Sequence, residues 1–230
     1  MSTLPVNAIY SGMQPDGHWG GAPTLIIQLM DHPDTALPPI ESLDGSYPLA
    51  EWTFDSANEV SLNKLLSRRP GVCSPHFARL GASTLTVLIT SYREPHVMFI
   101  GRDPGRYDLA PLVTQLLAAG RTVQIEATAL SAALAIPKAW ITLLALPSRT
   151  VTSIDPAPSD AAAPNEVLAS VRWKADLDRT ELIYANRRIP VWLRPTAWAE
   201  DGMYRQCIAV ATRHAGWRVI PPSRSFAAAG

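Results

Sequence analysis

The stretch from Val97 to Gly120 constrains the fold of this chain more than any other part of it. Val97–Ile100 is a short apolar run of the kind that is buried in a parallel sheet. A turn rich in glycine and proline follows it, and then a helical pattern that ends at Gly120, as expected for a helix-terminating glycine. Thr122–Glu126 predicts a second strand. The helix carries one apolar face, formed by Leu109, Leu112, Val113, Leu116 and Leu117. The three elements form a βαβ unit, and α/β proteins bind ligands at the turn after the first strand.

Further periodic segments on both sides of this unit predict the rest of the fold. Strands are predicted at Val6–Tyr10, Thr24–Met30, Ser83–Thr90, Ala139–Leu146, Glu181–Tyr184, Pro190–Arg194 and Trp217–Ile220. Helices are predicted at Ser56–Ser67 with Ser56 as N-cap, at Glu166–Val171 capped by Asn165, and at Asp201–Ala215, whose inward residues are Tyr204, Cys207, Ile208, Val210 and Ala211. Residues 31–47 predict a long loop and residues 148–164 an exposed linker. The alternation predicts an α/β fold with a mainly parallel sheet of about six strands.

The composition of the 230 residues indicates a globular protein and excludes several classes of function. Hydrophobic residues make up 47% and charged residues 17%, so we expect one core and a single domain over residues 1–230. Twenty basic residues balance twenty acidic ones without a basic block, and nucleic-acid binding therefore has no compositional support. No apolar run is long enough for a membrane span and no secretion signal is evident, so we expect a cytoplasmic protein.

Side chains with catalytic or metal-binding chemistry form no motif by themselves. Cys73 and Cys207 have neither metal nor redox spacing, and we expect both to be reduced. The five histidines share no i, i+4 or i, i+2 spacing, which favours solvent-facing loop histidines over a metal site. No Gly-x-Ser-x-Gly motif occurs, so no catalytic residue is assigned. Most tryptophans lie in apolar runs, whereas Trp19 lies in a glycine-rich loop and is the candidate for an exposed contact residue.

Taken in order, several short motifs resemble those of 7-carboxy-7-deazaguanine synthase, a radical S-adenosylmethionine enzyme family. Gln14-Pro-Asp-Gly17 and Gly21-Ala-Pro23 resemble the family's Gln-Gly-Glu-Gly-x-x-x-Gly-x-Pro. Gly101-Arg-Asp-Pro104 resembles its Gly-Gly-Glu-Pro turn, Ile125–Ala129 its Leu-Glu-Thr-x-Gly strand end, and Leu193-Arg-Pro195 its Leu-Gln-Pro. The resemblance spans nearly the full chain and implies a partial, open (β/α) barrel of the radical-SAM type.

The resemblance also implies a set of ligand-binding residues, if binding is retained. These are Gln14, Asp16, Gly17, Gly101, Arg102, Asp103, Glu126, Thr128 and Arg194. The implied ligand is a purine, a pterin or a molecule like S-adenosylmethionine. An alternative interpretation is that Asp103 and Glu126 are turn and strand-end residues that bond local backbone. Arg102 and Arg106 flank Asp103, so a local ion pair is a further alternative to an anion site.

The chain departs from the family where the family's chemistry takes place. Radical chemistry of this kind needs three thiolates at Cys-x-x-x-Cys-x-x-Cys to hold a [4Fe-4S] cluster. The corresponding positions fall near His32, Ala36 and Pro39, and none of them is cysteine. Residues 31–47 are therefore interpreted as a degenerate cluster loop. We expect no [4Fe-4S] cluster and no metal, whereas residual binding of S-adenosylmethionine stays open.

Three hypotheses of function follow from this resemblance and these departures. The leading one is a non-catalytic protein that has lost its cluster and acts through protein contacts, as a partner, regulatory or structural subunit. The second is a binding module for a purine, pterin or S-adenosylmethionine-like ligand. The third is a repurposed, non-redox enzyme of deazapurine or modified-nucleotide metabolism. Because the family is homodimeric, the resemblance implies a homodimer or pairing with another protein.

Overall fold

The computed structural model describes residues 3–14, 16–30, 56–67, 76–101, 104–127, 136, 138–145, 164–195 and 201–221. The chain divides into two compact units. The first comprises residues 1–143 and 158–165, and the second comprises residues 144–157 and 166–230. The predicted single domain over 1–230 stays a prediction, and the loop 31–47 and nearly all of the linker 148–164 lie outside the described residues. Among the helices described, none is long and apolar enough to cross a membrane.

The first unit is built on a sheet with the strand order β3-β1-β2-β4-β5-β6. Its strands are β1 (Thr3–Met13), β2 (Pro23–Leu29), β3 (Ala78–Gly81), β4 (His96–Ile100), β5 (Thr122–Ala127) and β6 (Trp140–Ala145), the last of which crosses the unit boundary. Its helices are α1 (Leu62–Leu66), α2 (Ala82–Thr90) and α3 (Ala110–Ala118). Strand β1 is antiparallel to both of its neighbours, whereas β2, β4, β5 and β6 are parallel.

One face of this sheet forms the core with helices α2 and α3. Successive side chains of a strand point to opposite faces, so alternate residues of each parallel strand point toward the helices. These residues include Leu25, Ile27, Val97, Phe99, Val123, Ile125 and Ile141, which cluster with Leu85, Ile89, Leu112, Val113 and Leu116 of the helices. The opposite face of the same strands carries the side chains that form the candidate site.

The second unit repeats the same architecture on a smaller scale. Strands β7 (Glu166–Val171), β8 (Val191–Pro195) and β9 (Trp217–Val219) are parallel and adjacent in that order. Helix α4 (Lys174–Tyr184) joins β7 to β8, and helix α5 (Asp201–Ala211) joins β8 to β9. Both connections are βαβ units of the kind that produces a parallel sheet.

The βαβ unit predicted from the sequence is confirmed as β4, α3 and β5. Helix α3 ends in a Schellman motif, in which Gly120 has a φ of +77°. The amide of Gly120 donates to the carbonyl of Leu117 at 3.0 Å, and the amide of Arg121 donates to that of Leu116 at 3.0 Å. The predicted strands that correspond to β1, β2, β6, β8 and β9 are also confirmed. The predicted α/β fold with a mainly parallel sheet is therefore correct.

Three segments were assigned the wrong element by the sequence. Ser83–Thr90, predicted as a strand, lies in helix α2, because Leu85 and Ile89 are four residues apart and both fully buried. Glu166–Val171, predicted as a helix, is strand β7, in which all six residues are buried. Glu181–Tyr184, predicted as a strand, is the end of α4, whose inner face carries Leu177, Thr180 and Tyr184 at helical spacing.

The boundaries of two helices also differ from the prediction. Only Leu62–Leu66 of the predicted Ser56–Ser67 helix is α-helical, and its N-cap is Ser61, whose hydroxyl accepts from the amide of Lys64. Residues 56–58 form a 3₁₀ turn instead. Helix α5 ends at Ala211 rather than Ala215, and its Ile208, predicted to point inward, is 40% exposed.

Candidate functional site

The face of the first unit's sheet that points away from α2 and α3 carries the polar side chains of the parallel strands. We call it the polar face. The strand register arranges its residues in three levels, from the amino to the carboxyl ends of the strands. The first level contains Thr24, His96 and Thr122, the second contains Ile26, Met98, Gln124 and Trp140, and the third contains Gln28, Ile100, Glu126 and Thr142. Buried strands rarely carry so many polar groups unless each finds a partner or a ligand.

A hydrogen-bonded chain crosses the polar face from its first level to its third. His96 Nδ1 lies 2.8 Å from Thr122 Oγ1 and His96 Nε2 lies 3.0 Å from Gln124 Oε1. The Gln124 Nε2 group donates to Thr142 Oγ1 at 2.9 Å. Because an amide oxygen can only accept, Nε2 of His96 carries the proton and Nδ1 accepts from Thr122. Burial lowers the pKa of His96, although the bond to Gln124 opposes this and the charge of His18 adds to it.

Two stacked pairs of rings close the amino end of the polar face. Trp19 stacks on His96 with ring centroids 4.5 Å apart, and His18 stacks on Trp140 at 4.4 Å. We call these four rings the aromatic layer. Trp19 and Trp140 also meet edge to face at 6.4 Å, which ties the two stacks together.

The aromatic layer corrects two predictions from the sequence. His96 is 1% exposed, so it is not a solvent-facing loop histidine, whereas His18 is an exposed turn residue as predicted, although its ring stacks on Trp140. Trp19 is half-buried rather than an exposed contact residue. Sequence reasoning missed the layer because its members are far apart in the chain. The available signal was His96 at the start of a buried strand, where an alternating pattern places it on one face with Met98 and Ile100.

The predicted site residues Gln14, Asp16 and Gly17 belong to the hairpin that carries Trp19. This hairpin joins β1 to β2 and therefore lies at the amino end of β2. The Gln14 amide group is 4% exposed and donates to the carbonyl of Asp16 at 3.2 Å, while its buried Oε1 has no protein partner in the described part of the chain. Gly17 has a φ of +82°, which a turn of this shape requires from a glycine.

Gly101 and Glu126 lie at the other end of the strands. Gly101 has a φ of +149°, and a Cβ at this position would come 2.8 Å from the carbonyl oxygen of Leu29. Glu126 is partly buried on the polar face, level with Thr142. The first and third levels of the polar face are four residues apart, a distance of about 13 Å along a strand. The structure therefore separates Gln14, Asp16 and Gly17 from Gly101 and Glu126, although all of them border one face.

Of the remaining predicted site residues, one lies in the second unit and the others lie outside the described residues. Arg102, Asp103, Thr128 and the side chain of Arg106 lie outside the described residues, so their predicted roles stay predictions. Arg194 lies on β8 and is paired in register with Ser170 of β7. On the same face of the second unit's sheet, the indole of Trp192 donates to the buried carboxylate of Glu166 at 2.9 Å and lies 5.6 Å from the guanidinium of Arg218.

The carboxyl edge of β2 is held in place by three hydrogen bonds around Met30. The amide of Met30 donates to the carbonyl of Pro5 at 2.9 Å, and its carbonyl accepts from the hydroxyl of Tyr107 at 2.9 Å. The amide group of Asn7 lies 3.5 Å from the Met30 sulfur and donates to the carbonyl of His76 at 2.8 Å. The chain therefore leaves β2 at a well-defined point before residue 31.

The residues present do not fit a [4Fe-4S] cluster. Three cysteine thiolates are required, and the 230 residues contain two cysteines. Cys73 lies outside the described residues. Cys207 is fully buried in α5, and burial raises the pKa of its thiol to about 11, so the thiolate that binds iron is scarce at neutral pH. Within the described ranges, no three side chains of His, Cys, Asp or Glu come close enough to hold a metal ion.

Comparison with known proteins supports the resemblance seen in the sequence. No family model matches the chain. It is 22% identical over 139 residues to the 7-carboxy-7-deazaguanine synthase of Buchnera aphidicola subsp. Schizaphis graminum, and the matched region spans 60% of each protein. The crystal structure of QueE from Escherichia coli is similar with a TM-score of 0.75 at 21% identity, covering 94% of this chain and 92% of that one. The chain therefore has the fold of QueE, as the sequence motifs predicted, and carries two cysteines where that resemblance implies three cluster ligands.

Proposed function

We propose that this chain is a non-catalytic, QueE-like protein that holds no [4Fe-4S] cluster and acts through protein contacts, as a partner, regulatory or structural subunit. The observation that carries the first part is the cysteine count. Two cysteines, one of them with a buried thiol whose pKa is raised, cannot supply three thiolates. The fold is kept while the ligands of its cofactor are not, and a fold can serve a new role through its surface.

Reconstitution with iron tests the loss of the cluster. The purified chain is incubated with ferrous iron and sulfide without oxygen, desalted, and assayed for bound iron and for the visible absorbance of an iron–sulfur cluster. We expect no stoichiometric iron. A triple variant, His32→Cys with Ala36→Cys and Pro39→Cys, restores the implied spacing and serves as the matched positive control. About four iron atoms per unmodified chain would contradict the proposal.

The protein-contact role is supported by the low proportion of charged residues in the chain. Charged residues make up 17% of the chain, and depletion of charge is typical of the central part of protein interfaces. Quantitative co-purification from the native host tests this role. We expect a partner in a fixed ratio to the chain, and recovery of the chain alone at native concentration would contradict it unless it is recovered as an oligomer.

A second candidate function, binding of a small polar ligand, is favoured by the third level of the polar face. This level contains the side chains of Gln28, Glu126 and Thr142 next to Ile100. It therefore combines a carboxylate and an amide with an apolar surface. Such a combination suits a flat heterocycle with N–H donors, such as a purine or a pterin. The same residues also suit the third hypothesis, acid–base chemistry by a carboxylate.

Thermal unfolding with S-adenosylmethionine or a carboxypterin tests this second candidate. A ligand that binds the native state raises the melting temperature by mass action. We expect a rise for the unmodified chain and a smaller one for Glu126→Gln, which keeps the shape of the side chain and removes its charge. No rise with either compound leaves only the protein-contact role.

A further inference from the structure

Three arginines form a diagonal row on one face of the second unit's sheet. Ser170 of β7 is paired in register with Arg194 of β8, and Trp192 of β8 is paired with Arg218 of β9. Arg218 and Arg194 are therefore one strand and two residues apart, and Arg172, two residues beyond Ser170, continues the row by the same step. Strand spacing and the rise per residue make each step about 8 Å between Cα atoms. We call Arg172, Arg194 and Arg218 the arginine row.

The face that carries the arginine row has little negative charge to balance it. Among the residues of β7, β8 and β9, the carboxylate of Glu166 is the single acidic group, and this fully buried side chain accepts from the indole of Trp192 at 2.9 Å. Within the described ranges, neither Arg172 nor Arg218 makes an ion pair. The Nε atom of Arg172 is buried and has no hydrogen-bond partner in that part of the chain. Because buried polar atoms nearly always have a partner, this nitrogen is suited to an oxygen of a bound anion.

Trp192 holds the guanidinium group of Arg218 in a position from which it can bind an anion. The guanidinium carbon lies 5.6 Å from the centre of the Trp192 ring, and the bond from Trp192 to Glu166 fixes the orientation of that ring. Stacking occupies the flat side of a guanidinium group, whereas its N–H donors lie in its plane and point to its edges. Arg218 is exposed and lies on the last strand in the order of the sheet. A ligand can therefore reach these donors from solvent.

The second unit carries a positive charge that the balance of the whole chain conceals. Its residues include eleven Arg and Lys against seven Asp and Glu, whereas those of the first unit include nine against thirteen. Asp178 and Glu181 of α4 pair with Lys174 and Arg213, and Asp176 accepts from the backbone amides at the start of α4. These acidic groups are therefore engaged elsewhere in the unit. The excess of positive charge raises the local concentration of anions.

From these observations, we propose that the arginine row binds a small ligand that carries two or three linked phosphate groups. Guanidinium groups bind phosphate oxygens through paired, charge-assisted hydrogen bonds. One phosphate group carries about two negative charges at neutral pH, so three arginines match a longer phosphate chain better than a single group.

The exposure of the arginine row favours a small ligand over a nucleic-acid strand. Arg172 and Arg194 are half-buried and Arg218 is exposed, which suits a ligand that enters from the edge of the sheet. The chain also has no basic block of the kind that neutralises a long phosphate backbone. A phosphate chain is not part of the pterin or S-adenosylmethionine-like ligand that the resemblance implies for Arg194. The inference goes beyond the proposed protein-contact role and does not depend on it.

Isothermal titration calorimetry of the full chain with inorganic triphosphate, without divalent cations, tests the inference. We expect one triphosphate per chain, bound at least about tenfold more tightly than inorganic phosphate at the same ionic strength. Arg218→Gln and Arg172→Gln should each weaken the binding of triphosphate about tenfold, because each removes charge-assisted hydrogen bonds. Arg218→Lys keeps the charge but not the planar fork and should give an intermediate affinity. Arg205→Gln, at an exposed position of α5 without a described ion pair, removes the same charge and is the matched control that should leave the affinity unchanged.

Three outcomes would overturn the inference. They are no binding of triphosphate, equal affinities for triphosphate and phosphate, and equal losses for Arg218→Gln and Arg205→Gln, which would reduce the effect to net charge. A fluorescent single-stranded oligonucleotide that binds the chain and is not displaced by triphosphate would also overturn it, in favour of a nucleic-acid surface. Circular dichroism establishes that the variants are folded. If Arg172→Gln does not fold, the exposed Arg218 decides the test alone.

Discussion

Gly101 directly follows β4 and lies close to the backbone carbonyl group of Leu29. With a φ of +149° and a Cβ that would lie 2.8 Å from that oxygen, alanine at this position meets both backbone strain and a collision. We expect Gly101→Ala to lower the free energy of unfolding by about 1–3 kcal/mol, as measured by urea titration. Gly81→Ala is the matched control, because nothing lies within 4 Å of its Cβ and its φ is −71°. Equal losses for both variants would contradict the role of close approach.

His96 makes stability depend on pH through the aromatic layer. Burial lowers the pKa of His96, so between the folded pKa and the usual histidine value of 6.5 the unfolded chain binds a proton that the folded chain does not. Stability therefore falls as pH decreases through this window and is unaffected above it. We expect a lower urea midpoint at acidic pH for the unmodified chain, and a weaker dependence for His96→Gln.

The carboxylates act in a different pH range, which separates them from His96 in that measurement. The pKa values of Glu94 and Glu181 are lowered from 4.5, for Glu94 chiefly by a hydrogen bond from Ser11. Both carboxylates contribute to stability above pH 4.5, and these contributions are lost as the pH falls through their pKa values in the folded chain. An identical pH dependence of His96→Gln and the unmodified chain between pH values of about 5 and 7 would show that His96 does not control this window.

At the scale of elements, Glu181 links helix α4 to the turn that follows helix α5. Its Oε1 accepts from Arg213 Nη2 at 2.8 Å and lies 2.8 Å from His214 Nε2. The hydrogen bond from His214, followed by that from Arg213, lowers the pKa of Glu181. We expect Glu181→Gln to cost up to about 1 kcal/mol in urea unfolding, since the group is only partly shielded from water.

A second ion pair on α4 provides the comparison. Lys174 and Asp178 are four residues apart in one helix, lie 2.6 Å from each other and are more exposed than Glu181. Asp178→Asn should therefore cost no more than about 0.5 kcal/mol. A larger loss for Asp178→Asn than for Glu181→Gln would mean that the link between α4 and the turn after α5 is not the stabilising feature.

Individual elements also differ in how far local sequence predicts them. Strand β4 and helix α3 were predicted because an apolar run, a turn and a terminating glycine agree with one another. Helix α2 was mistaken for a strand because its threonines, valine and isoleucine favour strands locally. Burial of Leu85 and Ile89 against the sheet outweighs that preference. Short apolar segments of this kind are decided by what they pack against.

For the whole molecule, the fold of QueE is present without the cysteine motif that the resemblance implies. Similarity to QueE extends over 94% of this chain, whereas the cluster ligands are missing from its sequence. The core residues of β2, β4 and β5 bury apolar side chains against α2 and α3, and none of the residues in this core cluster is a cysteine. Because the scaffold does not depend on the three thiolates for its core, their loss can leave the fold intact.

The candidate site could be predicted from the sequence only in part. Motif order placed Gly101 and Glu126 at strand ends, and both lie there. The same motifs grouped them with Gln14 and Asp16, which the structure places in a hairpin at the opposite ends of the strands. The hairpin directly precedes β2, whereas Gly101 and Glu126 lie at the carboxyl ends of β4 and β5, which form a parallel set with β2. Residues before and after parallel strands lie at opposite ends of the sheet.

The sequence alone determined the βαβ unit, the mainly parallel sheet and the absence of three cluster cysteines, because these depend on local periodicity and on a count of residues. Only the tertiary structure decided that His18, Trp19, His96 and Trp140 form one aromatic layer. It also decided that Ser83–Thr90 belongs to helix α2 and lies beside α3, where Thr86 Oγ1 is 2.8 Å from Gln115 Oε1. Both features join residues far apart in the chain, and their meeting depends on strand order and register, which no local pattern encodes.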